Sequence, residues 1–146
     1  MHVLEGIKII ELVHMPPGEL CSMILGDFGA DIIKVEAVPA ASGRKLIDPA
    51  EAEALKSFMA YNAVNRNKKS IRLNLKSEDG KQVFYKLAQQ ADVVIEGFRP
   101  GVAGRMGVDY ATINKLNPRS YTVPSADTGR TAPTARTRDT ISTISP

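Results

Sequence analysis

The segment IKIIELVHMPPGELCSMILGDFGADIIKVE, residues 7–36, decides the fold. Its opening, Ile7 to Val13, is short, β-branched and apolar, and reads as a buried strand. Met15-Pro16-Pro17-Gly18 breaks that strand. Glu19 to Phe28 then reads as a helix whose apolar face is Leu20, Met23, Ile24 and Leu25. Gly29 ends the helix, and Asp31 to Glu36 is a second strand. Strand, helix and strand in so short a span imply a βαβ unit, hence parallel strands.

The alternation continues outward from this unit. Val38 to Asp48 reads as a loop, and Pro49 to Asn62 as a helix with proline in its first turn. Ser70 to Leu75 alternates as a third strand. Ser77 caps the next helix, Glu78 and Asp79 favour its positive end, and Val83, Phe84, Leu87 and Ala88 form its inner face. Ala91 to Glu96 is a fourth strand, followed by a loop over Gly97-Phe98-Arg99-Pro100-Gly101. Val102 to Met106 and Tyr110 to Leu116 are short helices. The fold class is α/β: a Rossmann-like open parallel sheet with flanking helices. Ligands of such sheets sit beyond the carboxyl ends of the strands, so the loops after strands one, three and four are the places to look.

Residues 120–146 differ from all this. The run SYTVPSADTGRTAPTARTRDTISTISP is rich in Thr, Ser, Pro, Ala and Arg, shows neither helical nor strand period, and reads as disordered. The expected organisation is therefore a Rossmann-like part over 1–119 and a disordered tail over 120–146.

Composition bounds the function. The 146 residues are 43% hydrophobic and 24% charged, ordinary for a soluble domain. No stretch approaches the ~20 apolar residues of a membrane helix, and no basic-then-apolar leader opens the chain. Cys21 is the single cysteine, which excludes an internal disulfide and fits a cytoplasmic protein. It sits in the apolar helix with no base near it in sequence, so it reads as a buried structural thiol. His2 and His14 lack metal-ligand spacing, and no Ser/His/Asp pattern is present: the expectation is no metal and no catalytic residue. The net charge of +3 is concentrated, with Arg66, Lys68, Lys69, Arg72 and Lys76 close together. That cluster suits either a phosphate-bearing ligand or a solvated surface. Nucleic acid is disfavoured, because no aromatic is interleaved with the basic run.

Three stretches are candidate ligand contacts. His14-Met15-Pro16-Pro17-Gly18 is a tight strand-to-helix turn that could bring helix amides to a phosphate. It lacks the three glycines of a dinucleotide fingerprint, which argues against an NAD-linked enzyme. Glu36 stands where a ribose-binding acid would. The basic run from Asn65 to Lys76 could hold phosphates. Glu96 to Gly107 places a Phe and two Arg around a Gly/Pro loop, suited to a flat ring and an anion.

In this order, LEGIKIIEL (4–12), GDFGADIIKVE (26–36), NRNKKSIRLNLK (65–76), ADVVIEGFRPGV (91–102) and NPR (117–119) resemble the family III CoA-transferases. That family includes formyl-CoA transferase, carnitine CoA-transferase and α-methylacyl-CoA racemase. The resemblance implies CoA contacts at Met15, Pro16 and Pro17, at Leu73 and Lys76, and at Gly97, Phe98, Arg99, Val102 and Arg105. Lys76, Arg99 and Arg105 would meet phosphate, and Phe98 would pack near the adenine. Many members carry Asn at the position of Gly97. The implied substrates are a CoA thioester and a small carboxylic acid, with CoA a substrate and no tightly bound cofactor. Full-length members are interlocked homodimers, a dimer this chain is not expected to form. The family's nucleophilic aspartate, which takes the acyl group as a mixed anhydride, lies beyond the matching stretch, as does the racemase acid/base pair. The expectation is an N-terminal CoA-transferase fragment, inactive alone. A non-catalytic CoA- or nucleotide-binding module and a racemase-type fragment are the alternatives.

After N-P-R the family continues with a pattern like LVYCSLSGYGQxGPY and later PGHDINY. Shifting the tail by one base allows these residues in turn. Tyr121-Thr122 gives Tyr, Thr122-Val123 allows Cys, Pro124-Ser125 allows Leu, and the series runs on through Gly-Tyr-Gly-Gln to Gly-His-Asp. The hypothesis is a base missing near codon 119, with 120–146 translated out of frame. A coding sequence incompatible with the shifted reading sinks it.

Overall fold

The protein is described here by a computed structural model covering residues 2–38 and 63–124. The helix expected over 49–62, most of the loop before it, and the tail beyond residue 124 lie outside the described residues. The strands are β1 (Lys8–Leu12), β2 (Asp31–Ala37), β3 (Lys68–Leu73), β4 (Val93–Glu96) and β5 (Tyr121–Pro124). The helices are α1 (Pro16–Asp27), α2 (Glu78–Ala88), α3 (Val102–Met106) and α4 (Tyr110–Leu116), with a 3₁₀ turn at Ala63–Asn65.

The five strands form one sheet in the order β3-β2-β1-β4-β5, every pair parallel. This is the doubly wound order, reversing between β1 and β4. The α/β expectation holds, with three adjustments. Helix α1 begins at Pro16, because prolines at its first two positions forgo amides that have no partner there anyway. Strand β3 begins at Lys68, whose side chain is drawn into the sheet's interior. Tyr121–Pro124, read from sequence as part of the disordered tail, pairs with Val93–Glu96 as an edge strand.

Strand alternation separates two faces. Ile10, Leu12, Val35, Leu73 and Val94 point to one, packed under Phe84 and Ala88 of α2, Ala103 of α3 and Ile113 of α4. Ile9, Val13, Ala30, Ile32 and Ile95 point to the other, beside α1. Of the predicted α2 face, Phe84 and Ala88 are fully buried and Leu87 partly so, while Val83 is exposed. On α1, Met23 faces inward but Leu20 and Ile24 are exposed. Cys21 is exposed as well, not the buried thiol expected, because it lies next to Leu20 on the outward side. Ser77 caps α2 by accepting from the Gly80 amide at 3.2 Å. Position 80 must be glycine: a Cβ there would stand 2.1 Å from the Asn74 carbonyl oxygen.

The α1 face also holds charge. Glu11, 0% exposed, projects from the middle of β1. Lys68 Nζ meets its carboxylate at 2.8 Å and donates to the Glu19 carbonyl at 2.9 Å and Ser22 Oγ at 2.7 Å. Ser22 Oγ in turn donates to Glu11 at 2.7 Å. Lys34 Nζ donates to Glu19 Oε1 at 2.7 Å and to Asn65 Oδ1 at 2.9 Å, and stands 4.0 Å from Glu11. Two carboxylates and two ammoniums thus neutralise each other beneath α1.

Truncating one member strands a buried charge, which typically costs about 3–5 kcal/mol. Lys68→Ala should lower unfolding free energy in urea by that order. The paired change Glu11→Leu with Lys68→Met should recover most of the loss, and a double variant as unstable as the single one would contradict this account. At the edge, Thr122 Oγ1 is buried with no hydrogen-bond partner among the described residues. Thr122→Val should raise stability by about 1 kcal/mol, read by the same unfolding experiment.

Candidate functional site

A small, open crevice lies where the carboxyl ends of β1, β2 and β3 meet the loop after β4. Its floor is apolar: Leu12, Val35, Leu73 and Leu75 are all buried. Phe98 and Met106 close one side, and both pack on the core beneath. His14, Glu36, Asn74 and Lys76 supply the polar groups. The arrangement fits a ligand with a flat or apolar body and an anionic portion.

The loops are held by the strand ends that carry them. Glu96, 3% exposed, accepts from the Phe98 amide at 2.9 Å, and the Gly97 amide donates to the Leu12 carbonyl at 3.3 Å. These bonds turn the chain so that Phe98 lies over the crevice. Gly101 caps α3 at φ +76°, a left-handed value that favours glycine, and the Arg105 amide donates to its carbonyl at 3.3 Å. On the opposite side, Asn74 Oδ1 accepts from the Lys76 amide at 3.1 Å.

Of the contacts expected from sequence, Leu73, Lys76 and Phe98 line the crevice together. Met15, Pro16 and Pro17 form the start of α1 at the end of β1, with Met15 61% exposed. Gly97 and Arg99 belong to the β4–α3 connection, and Val102 and Arg105 to α3 itself. Arg99 and Arg105 are exposed and form no ion pair among the described residues. His14, Glu36 and Met106 line the crevice without having been singled out as CoA contacts. For His14 the signal was its place directly after the first strand. Met106 carries none, since a methionine in a short helix reads as packing.

The basic run has a different fate. Arg66 pairs with Asp27, Lys68 with Glu11, Lys69 with Asp31 at 2.7 Å, and Arg72 with Glu36 at 3.4 Å. Four of its five cations therefore tie β3 and the preceding turn to α1, β1 and β2. Only Lys76 reaches the crevice.

The turn into α1 is also less suited to an anion than its position suggests. Helix N-termini bind phosphate through free amides, but Pro16 and Pro17 carry none and Glu19 adds a carboxylate to the first turn. His14, just before that turn, titrates below its ordinary value near 6.5, chiefly through partial desolvation and next through the Lys34 ammonium.

A family model described as CoA-transferase family III matches residues 4–123. An acyl-CoA transferase of Fusarium pseudograminearum is 40% identical over 138 residues, covering 89% of this chain and 30% of that protein. An acetyl-CoA:oxalate CoA-transferase of Acetobacter aceti is 36% identical over 131 residues, covering 90% and 33%. A formyl-CoA:oxalate CoA-transferase of Escherichia coli is 37% identical over 118 residues, covering 80% and 27%. The chain thus spans about a third of the length of these relatives. Among solved structures, Rv3272 of Mycobacterium tuberculosis superposes with a TM-score of 0.68 at 31% identity, over 84% of this chain and 31% of that one. A CAIB/BAIF family protein of Brucella suis gives 0.66 at 30% identity, over 83% and 32%.

Asp27 gives a pH test of how the basic run is used. The Arg66 hydrogen bond holds its carboxyl below the ordinary 3.8. A depressed carboxyl stabilises the fold above its unfolded value and loses that contribution as pH falls through the folded value. Asp27→Asn should therefore be less stable than the parent near neutrality. The gap in denaturation midpoint should close as pH drops below the ordinary 3.8. A gap independent of pH would exclude the pair as its source.

Proposed function

The chain belongs to CoA-transferase family III, and from that premise we propose that it is the N-terminal, CoA-binding part of an enzyme moving CoA between an acyl-CoA and a carboxylic acid. The observation that carries this reading is the crevice at the carboxyl edge of a doubly wound sheet, inside the family-matched segment. Its apolar floor suits the pantetheine arm, Phe98 suits the adenine, and Lys76, Arg99 and Arg105 suit the phosphates. Met15, Pro16, Pro17, Gly97 and Val102 supply shape and backbone around it. In the full reaction an aspartate carboxylate would attack the thioester carbonyl and release CoA thiolate, leaving an acyl-aspartyl anhydride. The thiolate would then attack the aspartyl carbonyl, releasing the first acid and forming an aspartyl-CoA thioester. From this the second acid's carboxylate would gain CoA by the same steps in reverse, freeing the aspartate. The resemblance puts that aspartate beyond the matching stretch, so this reading assigns the acyl chemistry to no residue of this chain. Transfer by this chain alone, and the interlocked dimer of full-length members, are both expected to be absent.

The tail supports a second proposal. Residues beyond 119 permit the family's continuing motif when read one base out of frame, over many successive codons. A buried hydroxyl without a partner among the described residues, as at Thr122, is what a strand position filled by unselected sequence would show. Sequencing the coding DNA from codon 115 past codon 146 tests this. One restored base should open a long frame through the glycine-rich and Gly-His-Asp motifs.

Calorimetric titration with CoA tests the binding proposal. The chain should bind CoA without consuming an acyl-CoA, and Arg99→Ala should weaken binding roughly tenfold, the scale of one lost charge-assisted phosphate contact. NADH bound in preference to CoA, or an Arg99→Ala protein that binds as tightly as the parent, would defeat it.

A further inference from the structure

Helix α1 is apolar on two opposite sides. Met23 and the small residues Gly18, Ser22 and Gly26 are buried toward the sheet. On the other side Leu20, Ile24 and Phe28 recur every four residues and are 47%, 44% and 52% exposed. Pro17 and Cys21 share that outward side and are exposed as well. The charged residues of α1 lie off this stripe and are already paired, Glu19 with Lys34 and Asp27 with Arg66. The outward stripe therefore carries no charge. Helix α2 is built differently: its exposed residues are Glu78, Asp79, Gln82 and Lys86, with Val83 the one apolar side chain among them. A helix that ends in solvent has a polar outer face, and one apolar on both sides is covered on both.

We propose that a second copy of this chain docks on the outward stripe, α1 against α1 across a two-fold axis. Such an axis sets a surface against its own image, so any charge on it would meet its like. This stripe carries none, and its apolar side chains are complementary to themselves. A partner bearing charge would leave that charge unmatched here. The flank of α1 toward β3 is already taken: Asn65, Arg66 and Asn67 bond there to Lys34 and Asp27. The chain's own end is a poor cover, since residues 125–146 hold only Ile141 and Ile144 as large apolar side chains. The dimer is set by one helix face and not by interlocking chains. One helix face is a small interface, so the dimer is weak, with a Kd on the order of 10 μM.

The test is sedimentation velocity of the full chain at concentrations from below to well above that Kd. The parent should pass from monomer to dimer and stop there. Leu20→Lys and Ile24→Lys should each weaken the dimer roughly tenfold or more. Below the Kd, their urea midpoints should match the parent's, because both side chains are exposed in the monomer. Val83→Lys, the same change on the exposed side of α2, should leave the dimer intact. Cys21, the single cysteine, gives a second readout. Its alkylation by a maleimide should slow several-fold as the dimer fills, and Ile24→Lys should restore the monomer rate. A chain that stays monomeric, or that grows past two copies without limit, would overturn the proposal. So would a dimer that survives both α1 variants, or one lost equally with Val83→Lys. A lowered urea midpoint in monomeric Ile24→Lys would show the stripe covered from within the chain, and would overturn it too.

Discussion

A carboxylate in the centre of a parallel sheet is the constraint on which the rest of this structure depends. Glu11 is wholly buried in β1, where an apolar residue would have needed no partner. Its charge can stay there only if it is matched, and the matches come from three other elements: Lys68 at the start of β3, Ser22 in α1, and Lys34 in β2 at the edge of contact. Lys68 spends its three donors on Glu11, Ser22 and the Glu19 carbonyl. One ion pair therefore sets the register of β3, the seating of α1 and the depth of β1 together. Hydrophobic burial on the two faces supplies the bulk driving force, but it would tolerate more than one arrangement of α1. The charge network tolerates far fewer.

That network also shapes the carboxyl edge. Glu19 and Lys34 lie just beneath the turn from β1 into α1, so their pair fixes the helix start against the strand ends. Lys68 is absorbed in holding the fold and Arg66, Lys69 and Arg72 pair with acids at the surface, while Lys76 lines the crevice, Arg99 stands in the β4–α3 connection and Arg105 in α3. A dense basic run in sequence is thus a poor guide to where an anion binds. Each cation must first be asked which acid lies opposite it in the register, and here β2 offers Asp31 and Glu36 across from β3.

Much of the architecture was legible because it depends on local pattern. The apolar runs at Ile7 to Val13 and Asp31 to Glu36, the Ser77 cap, and the helices at Val102–Met106 and Tyr110–Leu116 are all properties of a few neighbouring residues. What escaped depends on distant partners. Nothing near Lys68 in sequence announces that Glu11 awaits it, so β3 reads two residues too late. Leu20, Ile24 and Cys21 read as inward because apolar residues outnumber the inward positions of α1. The crevice followed the same division. Leu73, Lys76, Phe98 and the acid Glu36 stand at or after strand ends and could be found, whereas Met106 joins the site only through packing.

The prolines at the head of α1 show how such a site can be rebalanced without changing the fold. A doubly wound sheet presents its first helix N-terminus to the ligand whatever the sequence, and free amides with an aligned dipole would normally make that end attractive to anions. Pro16 and Pro17 remove two amides, and Glu19 adds a negative charge two positions further on. The backbone geometry is retained, because proline is pre-set for a helix start, while much of the electrostatic attraction is withdrawn. Anion recognition at this edge must then rest on side chains. Side chains, unlike amides, can titrate or move, so recognition built on them can respond to pH where a glycine-rich turn would not.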